Sequence, residues 1–413
     1  MSCSAAAGMI ASQPIHRGQL TRFLARPRWL LKKFNWLLTG LVLYVEGWEG
    51  GRFLFIVDGT MVSQAGKKTQ NTYSTGNRQR RPRKGRRYNQ KKVVRKNVHS
   101  FTFGLLITPA GCRLPFQIPH YTEEYCKQTG RKHLTTAEAA AQLVRELPLP
   151  AGADVVVLGD TAYDAHVLRQ ACAERGFLWI FPANPERVYA GPKGQRPKLR
   201  SRLKDWTELS QRTIRLHVSK GDYVAQRRAS QWRVGPKQKP SVFHAHQEIQ
   251  DVHRVGRVQL VFSTKKPNLT AATPDDVKIL MSNATDLSLR EIIELYSLRW
   301  QIELFFKELK STLGFAQYRF EDFRAVEGWV TLAITTVLFL EYLRMQRLKD
   351  RKLTPEARQW WARQRLHGLC EGFRQACVGH ELKYLADRLK TPGGINKIKR
   401  LLRAAIPAEY QAA

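Results

Sequence analysis

Short apolar runs alternate with amphipathic segments through the first half of the chain. Residues 53–62, 154–160 and 177–185 are apolar runs of the length expected for buried central strands. Residues 135–147 and 162–176 instead place their apolar side chains at helical intervals. Because strands that alternate with helices are typical of α/β proteins, this pattern predicts an α/β core.

Turn and capping signals locate further elements. Residues 16–45 predict two short helices separated by Pro27. Residues 99–118 predict a β-hairpin whose turn is a Pro-Ala-Gly sequence. Thr135 and Glu138 have the spacing of a capping box, which marks the start of a helix.

The alternation breaks down in the middle of the chain. Residues 186–270 are polar and basic with short β-prone runs, which predicts an inserted, mainly β subdomain. Residues 277–285 return to a strand, and a long helix is predicted from Ser288 to about Thr312. The remaining tail is predicted to be helical and basic, with a buried helix at 325–347.

The balance of charges indicates a polyanionic partner. The sequence contains 69 Lys and Arg residues against 34 Asp and Glu residues, a net charge of +35. DNA is the leading candidate, because its dense phosphates release counterions on binding. An anionic membrane is the alternative, but residues 329–340, the longest apolar run, are too short for a membrane-spanning helix. We therefore expect DNA as the partner and no membrane association.

Basic side chains are concentrated in residues 67–96, and no acidic residue occurs between Asp58 and Glu123. The basic residues are Lys67, Lys68, Arg78, Arg80, Arg81, Arg83, Lys84, Arg86, Arg87, Lys91, Lys92, Arg95 and Lys96. Such a run can be a solvated, disordered loop that orders on phosphate groups. The predicted phosphate contacts in it are Arg80, Arg81, Arg83, Lys84, Arg86 and Arg87.

Cysteine usage indicates a reducing compartment. Six cysteines are spread along the chain without a Cys-x-x-Cys pair, and residues 1–15 lack the features of a secretory signal. These features predict a cytoplasmic protein.

A polar stripe crosses the long predicted helix. Four of its residues fall on one helical face because they are spaced three, four and seven apart: Tyr296, Arg299, Glu303 and Lys310. Glu303 has apolar neighbours in sequence, where a carboxylate is costly unless it is paired or binds a cation. The alternative is a surface Glu303 that pairs with Lys307 at i+4.

Two further acids stand where a structural role is hard to assign. Asp58 lies inside an apolar strand, and Asp160 ends one, where α/β proteins place ligand sites. Three carboxylates from separate elements are the hard oxygen ligands that a pair of Mg²⁺ ions requires. The sequence therefore predicts a two-metal site at Asp58, Asp160 and Glu303.

The spacing of the helical stripe matches a known signature. The chain resembles the DDE transposases of bacterial insertion sequences, in the family named after insertion sequence four, which carries Tyr-x2-Arg-x3-Glu-x6-Lys. The resemblance covers roughly residues 50–345. It implies a ribonuclease-H-like mixed sheet with flanking helices, interrupted by a mainly β insertion subdomain between the second Asp and the Glu.

The resemblance also implies roles for individual residues. Asp58, Asp160 and Glu303 would be both the catalytic residues and the ligands of two Mg²⁺ ions, for which Mn²⁺ could substitute. The implied phosphate-binding residues of the helix are Tyr296, Arg299, Lys307 and Lys310. Relatives stack an aromatic side chain of the insertion on a flipped base, and the candidates here are Trp232 and Trp206, although a packing role is commoner for tryptophan.

One departure from the family leaves an alternative open. The family often has Arg directly after the second Asp, where this chain has Thr161. Asp164 therefore becomes a rival to Asp160 as the second acid. We favour Asp160, because it directly follows the apolar strand, whereas Asp164 suits the first turn of a helix.

Combined with this resemblance, the pattern divides the chain into five segments. They are a short helical N-terminal segment that could be a truncated DNA-binding region (1–50), the first part of a catalytic core (51–185), a β-rich insertion subdomain (186–275), the second part of the core with the signature helix (276–347) and a basic helical C-terminal region (348–413).

The implied function is a cut-and-paste transposase. It would cleave transposon ends and join them to target DNA as a homodimer, in the bacterial cytoplasm at the nucleoid. The alternatives are a ribonuclease-H-type nuclease without strand transfer and a catalytically decayed, basic DNA-binding protein.

Overall fold

The computed structural model describes residues 17–25, 31–46, 51–64, 66, 68–75, 96–191, 194–202, 212–216, 241–266 and 276–375. The chain folds into two units, of which the larger is Trp36–Lys307 and the smaller combines Met1–Asn35 with Glu308–Ala413.

The larger unit is built on a mixed β-sheet. Its strands are β1 (Phe53–Gln64), β2 (Tyr73–Thr75), β3 (Lys96–Ile107), β4 (Arg113–Pro119), β5 (Val155–Leu158), β6 (Leu178–Pro182), β7 (Arg212–Leu216), β8 (Ser241–Val252), β9 (Gly256–Thr264) and β10 (Lys278–Ser282). Within the described residues they form one ten-stranded sheet in the order β2-β3-β1-β5-β6-β10-β9-β8-β7, and β4 pairs with β3.

Parallel strands form the centre of this sheet. β1 runs parallel to β5, and β5 runs parallel to β6. The first five residues of β1 and all of β5 are buried. A strand that is covered on both faces has to be apolar along its length, which explains the uninterrupted apolar runs in the sequence. The predicted α/β core is confirmed.

A glycine lets an aromatic ring lie flat against this centre. Gly104 of β3 pairs with Val57 of β1, and the Phe55 ring lies over it. A Cβ at position 104 would be 2.1 Å from Phe55 Cζ, so any other residue would displace the ring.

The inserted strands continue the core sheet. β9 pairs antiparallel with β10 from Ser263↔Lys278 to Gln259↔Ser282, and β8 and β7 follow outward. The predicted hairpin at 99–118 is present as β3 and β4.

Helices cover the sheet. Those that lie wholly in the larger unit are α3 (Glu123–Thr129), α4 (Thr136–Arg145), α5 (His166–Glu174), α6 (Leu199–Arg202) and α7 (Leu289–Ser297); α1 (Arg17–Ala25) and α2 (Leu31–Glu46) precede β1. The capping boxes expected from the sequence are formed, by Thr135 with Glu138 and by Ser288 with Glu291. Each box satisfies two backbone N–H groups that the first helical turn leaves without partners.

The helix predicted from Ser288 to Thr312 is interrupted. A 3₁₀ turn, Leu298–Trp300, separates α7 from α8 (Gln301–Thr312). The Leu298 N–H bonds to the carbonyl of Leu295, three residues back, so the turn is wound more tightly than an α-helix. The polar stripe therefore runs across two helices and not along one.

In the smaller unit, two helices that are far apart in sequence pack against each other. α9 (Phe323–Lys349) packs against α1 so closely that a Cβ on Gly328 would be 2.4 Å from the Leu24 carbonyl oxygen. Inside α9, Arg344 and Glu341 form a buried ion pair of 2.6 Å. α10 (Pro355–Arg363) follows, and residues 366–375 are helical, so the predicted helical C-terminal region is confirmed.

By length and apolar composition α9 could cross a membrane, the one helix in the described part of the chain for which this holds. Most of its apolar stretch, 61%, is buried inside the protein. Burial of this extent is typical of a core helix.

Candidate active site

The first two acids lie next to each other, Asp58 within β1 and Asp160 just after the end of β5. β1 and β5 are parallel with Ile56 opposite Leu158, and Asp58 and Asp160 each follow that pair by two residues. Asp58 Oδ1 accepts a 2.7 Å hydrogen bond from the Gly59 N–H. Asp160 Oδ1 accepts one of 2.9 Å from the Ala162 N–H and caps the 3₁₀ helix Thr161–Tyr163. Both carboxylates therefore stand at the carboxyl edge of the parallel strands, where α/β proteins bind ligands.

The third acid is brought to this edge by α8. Phe306 of α8 packs edge-on against Phe103 of β3, with ring centroids 5.4 Å apart, and Ile302 and Phe305 are buried. This apolar side fixes the helix against the sheet. Glu303 lies on another side of the same turn, and its side chain is 31% exposed.

Arg299 connects two of the acids. Its Nη2 donates a 2.6 Å hydrogen bond to Glu303 Oε1, and its Nη1 lies 3.6 Å from Asp58 Oδ2. All three side chains are more than two-thirds buried. A guanidinium between two carboxylates lowers their mutual repulsion, so Arg299 supplies positive charge at the centre of the acidic group.

The environment of Asp58 favours its protonated form. Burial first, and then the charges of Asp160 and Glu303, raise the pKa of Asp58, which is about 6. The hydrogen bond from Gly59 and the charge of Arg299 act in the opposite direction. A carboxylate held in this way gains more than an ordinary surface acid from a nearby cation.

The three carboxylates fit a divalent metal by their chemistry. They offer hard oxygen ligands. Their negative charges repel one another, and the positive charge of Arg299 offsets this repulsion only in part. Within the described residues, no group of three or more His, Cys, Asp or Glu side chains is already gathered around one metal position. Asp58 and Glu303 instead face the guanidinium of Arg299.

Two residues near the acids were not predicted from the sequence. Lys278, the first residue of β10, places its Nζ 4.4 Å from the centre of the Tyr296 ring. Burial lowers the pKa of Lys278, the charge of Arg299 lowers it further, and Asp160 opposes both effects. In the sequence, Lys278 is a single charged residue at the start of an apolar strand. Asp58 was singled out because it is likewise a charged residue in an apolar strand.

Tyr163 is the second of these residues. It is buried next to Asp58, and a Cβ on Gly59 would be 3.6 Å from its hydroxyl. Burial raises the pKa of Tyr163, and Asp58 and Asp160 add to the effect. Tyr296 is similarly buried, and its pKa is raised to about 12, mainly by burial. Both phenols therefore stay neutral beside the carboxylates.

Asp164, the rival to Asp160, is bound to two arginines. Its Oδ2 accepts a 2.6 Å hydrogen bond from Arg187 Nε, and Arg169 donates to its Oδ1. This pairing neutralises Asp164 inside the protein and favours Asp160 as the second acid of the site.

The remaining candidates divide into two groups. Lys307 is exposed and Lys310 is half-buried in α8, and burial lowers the pKa of Lys310. The others lie outside the described residues: Arg80, Arg81, Arg83, Lys84, Arg86, Arg87, Trp206 and Trp232.

Comparison with known proteins identifies the family. A search of curated proteins found no match to the chain. A family model described as a transposase DDE domain matches residues 127–339. The matched region includes Asp160, Tyr296, Arg299 and Glu303, and begins after Asp58. Because the match spans more than half of the chain, the protein belongs to the transposase DDE domain family.

Proposed function

We propose that this transposase cleaves DNA at transposon ends and joins the ends to target DNA, with Asp58, Asp160 and Glu303 as its catalytic residues. One observation carries the proposal: Arg299 contacts both Asp58 and Glu303, while Asp160, just after the neighbouring strand β5, stands beside Asp58. Two acids bridged by a cation, with a third acid beside them at the carboxyl ends of parallel strands, form a suitable place for phosphoryl transfer.

The proposed cofactors are two Mg²⁺ ions, with Mn²⁺ as a substitute. Asp58, Asp160 and Glu303 would hold them. When bound, such a pair activates the attacking hydroxyl and stabilises the leaving oxygen of the phosphodiester. The neutral phenols of Tyr163 and Tyr296 add no negative charge that would repel the substrate.

Basic side chains of the same edge would hold the DNA backbone. Arg299 uses one N–H on Glu303 and retains others, in a planar fork that matches a phosphate group. Lys278 adds a cation close to Tyr296. Lys307 and Lys310 extend the positive charge along α8, and we propose that they bind phosphates away from the scissile bond.

The wider assembly follows from the same proposal. The partners are the transposon ends and the target DNA, bound by a homodimer, and Trp232 or Trp206 would stack on a base. The basic residues of 67–96 would contact phosphates.

The proposed place of action is the bacterial nucleoid, and the Tyr-Arg-Glu-Lys spacing supports membership of the family named after insertion sequence four. The five segments defined from the sequence remain the proposed domain organisation.

The experiment is a cleavage assay on DNA that carries the ends flanking the gene. Asp58→Asn, Asp160→Asn and Glu303→Gln each remove one ligand charge and keep the side-chain size. Asp154→Asn is the matched control, because Asp154 lies just before β5 but pairs with Arg52. We expect Mg²⁺-dependent nicking by wild type and the control, and a loss of at least 100-fold in the three variants, comparable to the removal of other essential catalytic groups.

The products distinguish the proposed activity from that of a simple nuclease. A transposase yields molecules in which the transposon end is covalently joined to target DNA. Cleaved ends without joined molecules would indicate a hydrolytic nuclease. Activity that survives in one of the three variants would remove that residue from the catalytic set.

A further inference from the structure

A basic cleft lies on the larger unit, away from the acids. It has a volume of about 770 Å³. It is lined by α5, by the turn between β8 and β9, by residues 188–190 together with Arg196, and by Trp179 and Asn283. A cleft of this size accommodates a group as large as a nucleotide.

The lining of the cleft is strongly positive. Its charged and titratable residues are four arginines and two histidines against a single acid, Asp251. Arg169 is neutralised by Asp164. The other three arginines are Arg196, Arg254 and Arg257, which are exposed and form no ion pair within the described part of the chain.

The wall that carries Arg254 and Arg257 is held firmly in place. The β8–β9 turn is attached to the neighbouring segment by two backbone hydrogen bonds, from the Ala190 N–H to the Asp251 carbonyl at 2.8 Å and from the His253 N–H to the Val188 carbonyl at 2.9 Å. The guanidinium groups therefore project from a fixed backbone, which reduces the entropy that a ligand would otherwise cost.

The cleft is distinct from the proposed catalytic site. None of its lining residues belongs to the acids or to the residues that contact them. The strand β10 shows the separation. Lys278 begins it near the acids, Asn283 follows its last residue and lines the cleft, and five residues of extended chain span roughly 16 Å.

We propose that this cleft binds a phosphate group of DNA as a second contact, separate from the site of cleavage. Arginine presents a planar fork of N–H donors that matches phosphate oxygens. The three arginines form no ion pair among the described residues, and they outnumber Asp251, the single acid of the cleft. DNA is the phosphate source that the family membership and the net charge of +35 favour. The inference does not depend on which acids perform catalysis.

The test compares two pairs of neutralised arginines in the full-length protein. Arg254→Gln/Arg257→Gln removes two charges from the cleft. Arg212→Gln/Arg215→Gln removes two exposed charges from β7, outside the cleft, and is the matched control. Binding of a duplex is measured against salt concentration in the presence of EDTA, so that cleavage plays no part, and thermal unfolding checks that both variants are folded.

We expect the slope of log K against log salt to become shallower by about 0.9 in the cleft variant, because one phosphate contact is lost and each such contact contributes about 0.9. The control should retain most of the wild-type slope. Equal slopes for the cleft variant and wild type, or an equal loss in the control, would overturn the proposal.

A second arm identifies the source of the phosphate. Deoxyadenosine monophosphate is titrated calorimetrically into wild type and the cleft variant. We expect no stoichiometric binding, which supports DNA as the ligand. One-to-one binding that is lost in the cleft variant, together with an unchanged salt slope, would overturn DNA as the source and assign the cleft to a free nucleotide.

Discussion

Arg187 Nε donates a 2.6 Å hydrogen bond to Asp164 Oδ2, and the Asp164 side chain is only 3% exposed. Because Arg169 binds the other carboxylate oxygen, both oxygens of the acid are occupied by guanidinium groups that are themselves largely buried. This arrangement explains how two acids four residues apart can differ in role. Asp164 fixes the segment that follows β5, while Asp160, at the carboxyl end of β5, makes no such ion pair within the described residues and can bind a ligand.

The two acids should therefore respond differently to substitution. Asp164→Ala leaves Arg169 and Arg187 buried without their partner and should lower the free energy of unfolding by about 3–5 kcal/mol. Asp160→Asn keeps a side chain that can cap the 3₁₀ helix and should change stability by less than about 1 kcal/mol while cleavage is lost. Denaturant unfolding of both variants checks the difference. A stable Asp164→Ala variant with no activity would instead mark Asp164 as the catalytic acid.

The pH dependence of stability tests the environment of Asp58. Its folded-state pKa of about 6 lies above the ordinary value of 3.8, so the folded protein holds a proton more tightly than the unfolded chain does. In the metal-free protein, Asp58 should therefore cost stability progressively as the pH rises from about 4 to about 6. The groups that face it are Asp160, Glu303, Arg299 and Tyr163.

Asp58→Asn should remove this dependence. In EDTA at pH 7 we expect the variant to be more stable than wild type by about 1–3 kcal/mol, and the difference should vanish near pH 4. Unfolding by denaturant across this pH range measures it. If the difference stays constant with pH, Asp58 does not titrate in the way that its burial suggests.

The sequence indicated the acids of the candidate site because each one broke a local pattern. Asp58 is a charge inside an apolar strand, and Asp160 follows a run of buried valines. A side chain that contradicts its surroundings in this way is visible without any knowledge of the fold. The capping boxes at Ser288 and Thr135 were predictable for the same reason, since their partners are only three residues away.

Features that depend on distant pairing could not be predicted. Nothing local specifies that β9 pairs with β10 and so joins the insertion to the core sheet. The position of Lys278 near Tyr296 follows from that sheet order, and it was missed. The 3₁₀ turn at Leu298–Trp300 was missed as well, because the apolar spacing on both sides is that of a continuous helix.

Arg299 provides a test of competition between a side chain and metal ions. Its guanidinium lies against Asp58 and Glu303, two of the proposed ligands. Arg299→Gln should therefore increase the apparent affinity for Mn²⁺ in the absence of DNA, by about 10-fold if the guanidinium costs about 1.4 kcal/mol. The same variant should bind end DNA more weakly, because a phosphate contact is lost.

A neighbouring pair offers the control. Arg290 donates to Glu294 at i+4 with a 2.9 Å hydrogen bond, as Arg299 does to Glu303, but the pair is exposed on α7. Arg290→Gln should change neither Mn²⁺ affinity nor DNA binding. Calorimetric titration measures the first and fluorescence anisotropy the second. A weaker Mn²⁺ affinity in Arg299→Gln would show that the arginine organises the acids and does not compete for them.

The basic segment between β2 and β3 can be removed without disturbing the sheet. Thr75 pairs with Lys96, so deletion of residues 78–95 leaves Gly76 and Asn77 to join two paired positions. A two-residue loop that begins with glycine suits a type II′ hairpin turn. The deletion removes ten of the thirteen basic residues counted in 67–96, and every neutralised phosphate contributes about 0.9 to the salt dependence of duplex binding. The slope of log K against log salt should therefore become shallower by several units.

A second variant of full length, with the same ten residues changed to Gln, separates charge from chain length and should give the same slope. If both variants keep the wild-type slope, this segment does not contact DNA, and the excess positive charge of the protein acts through other surfaces.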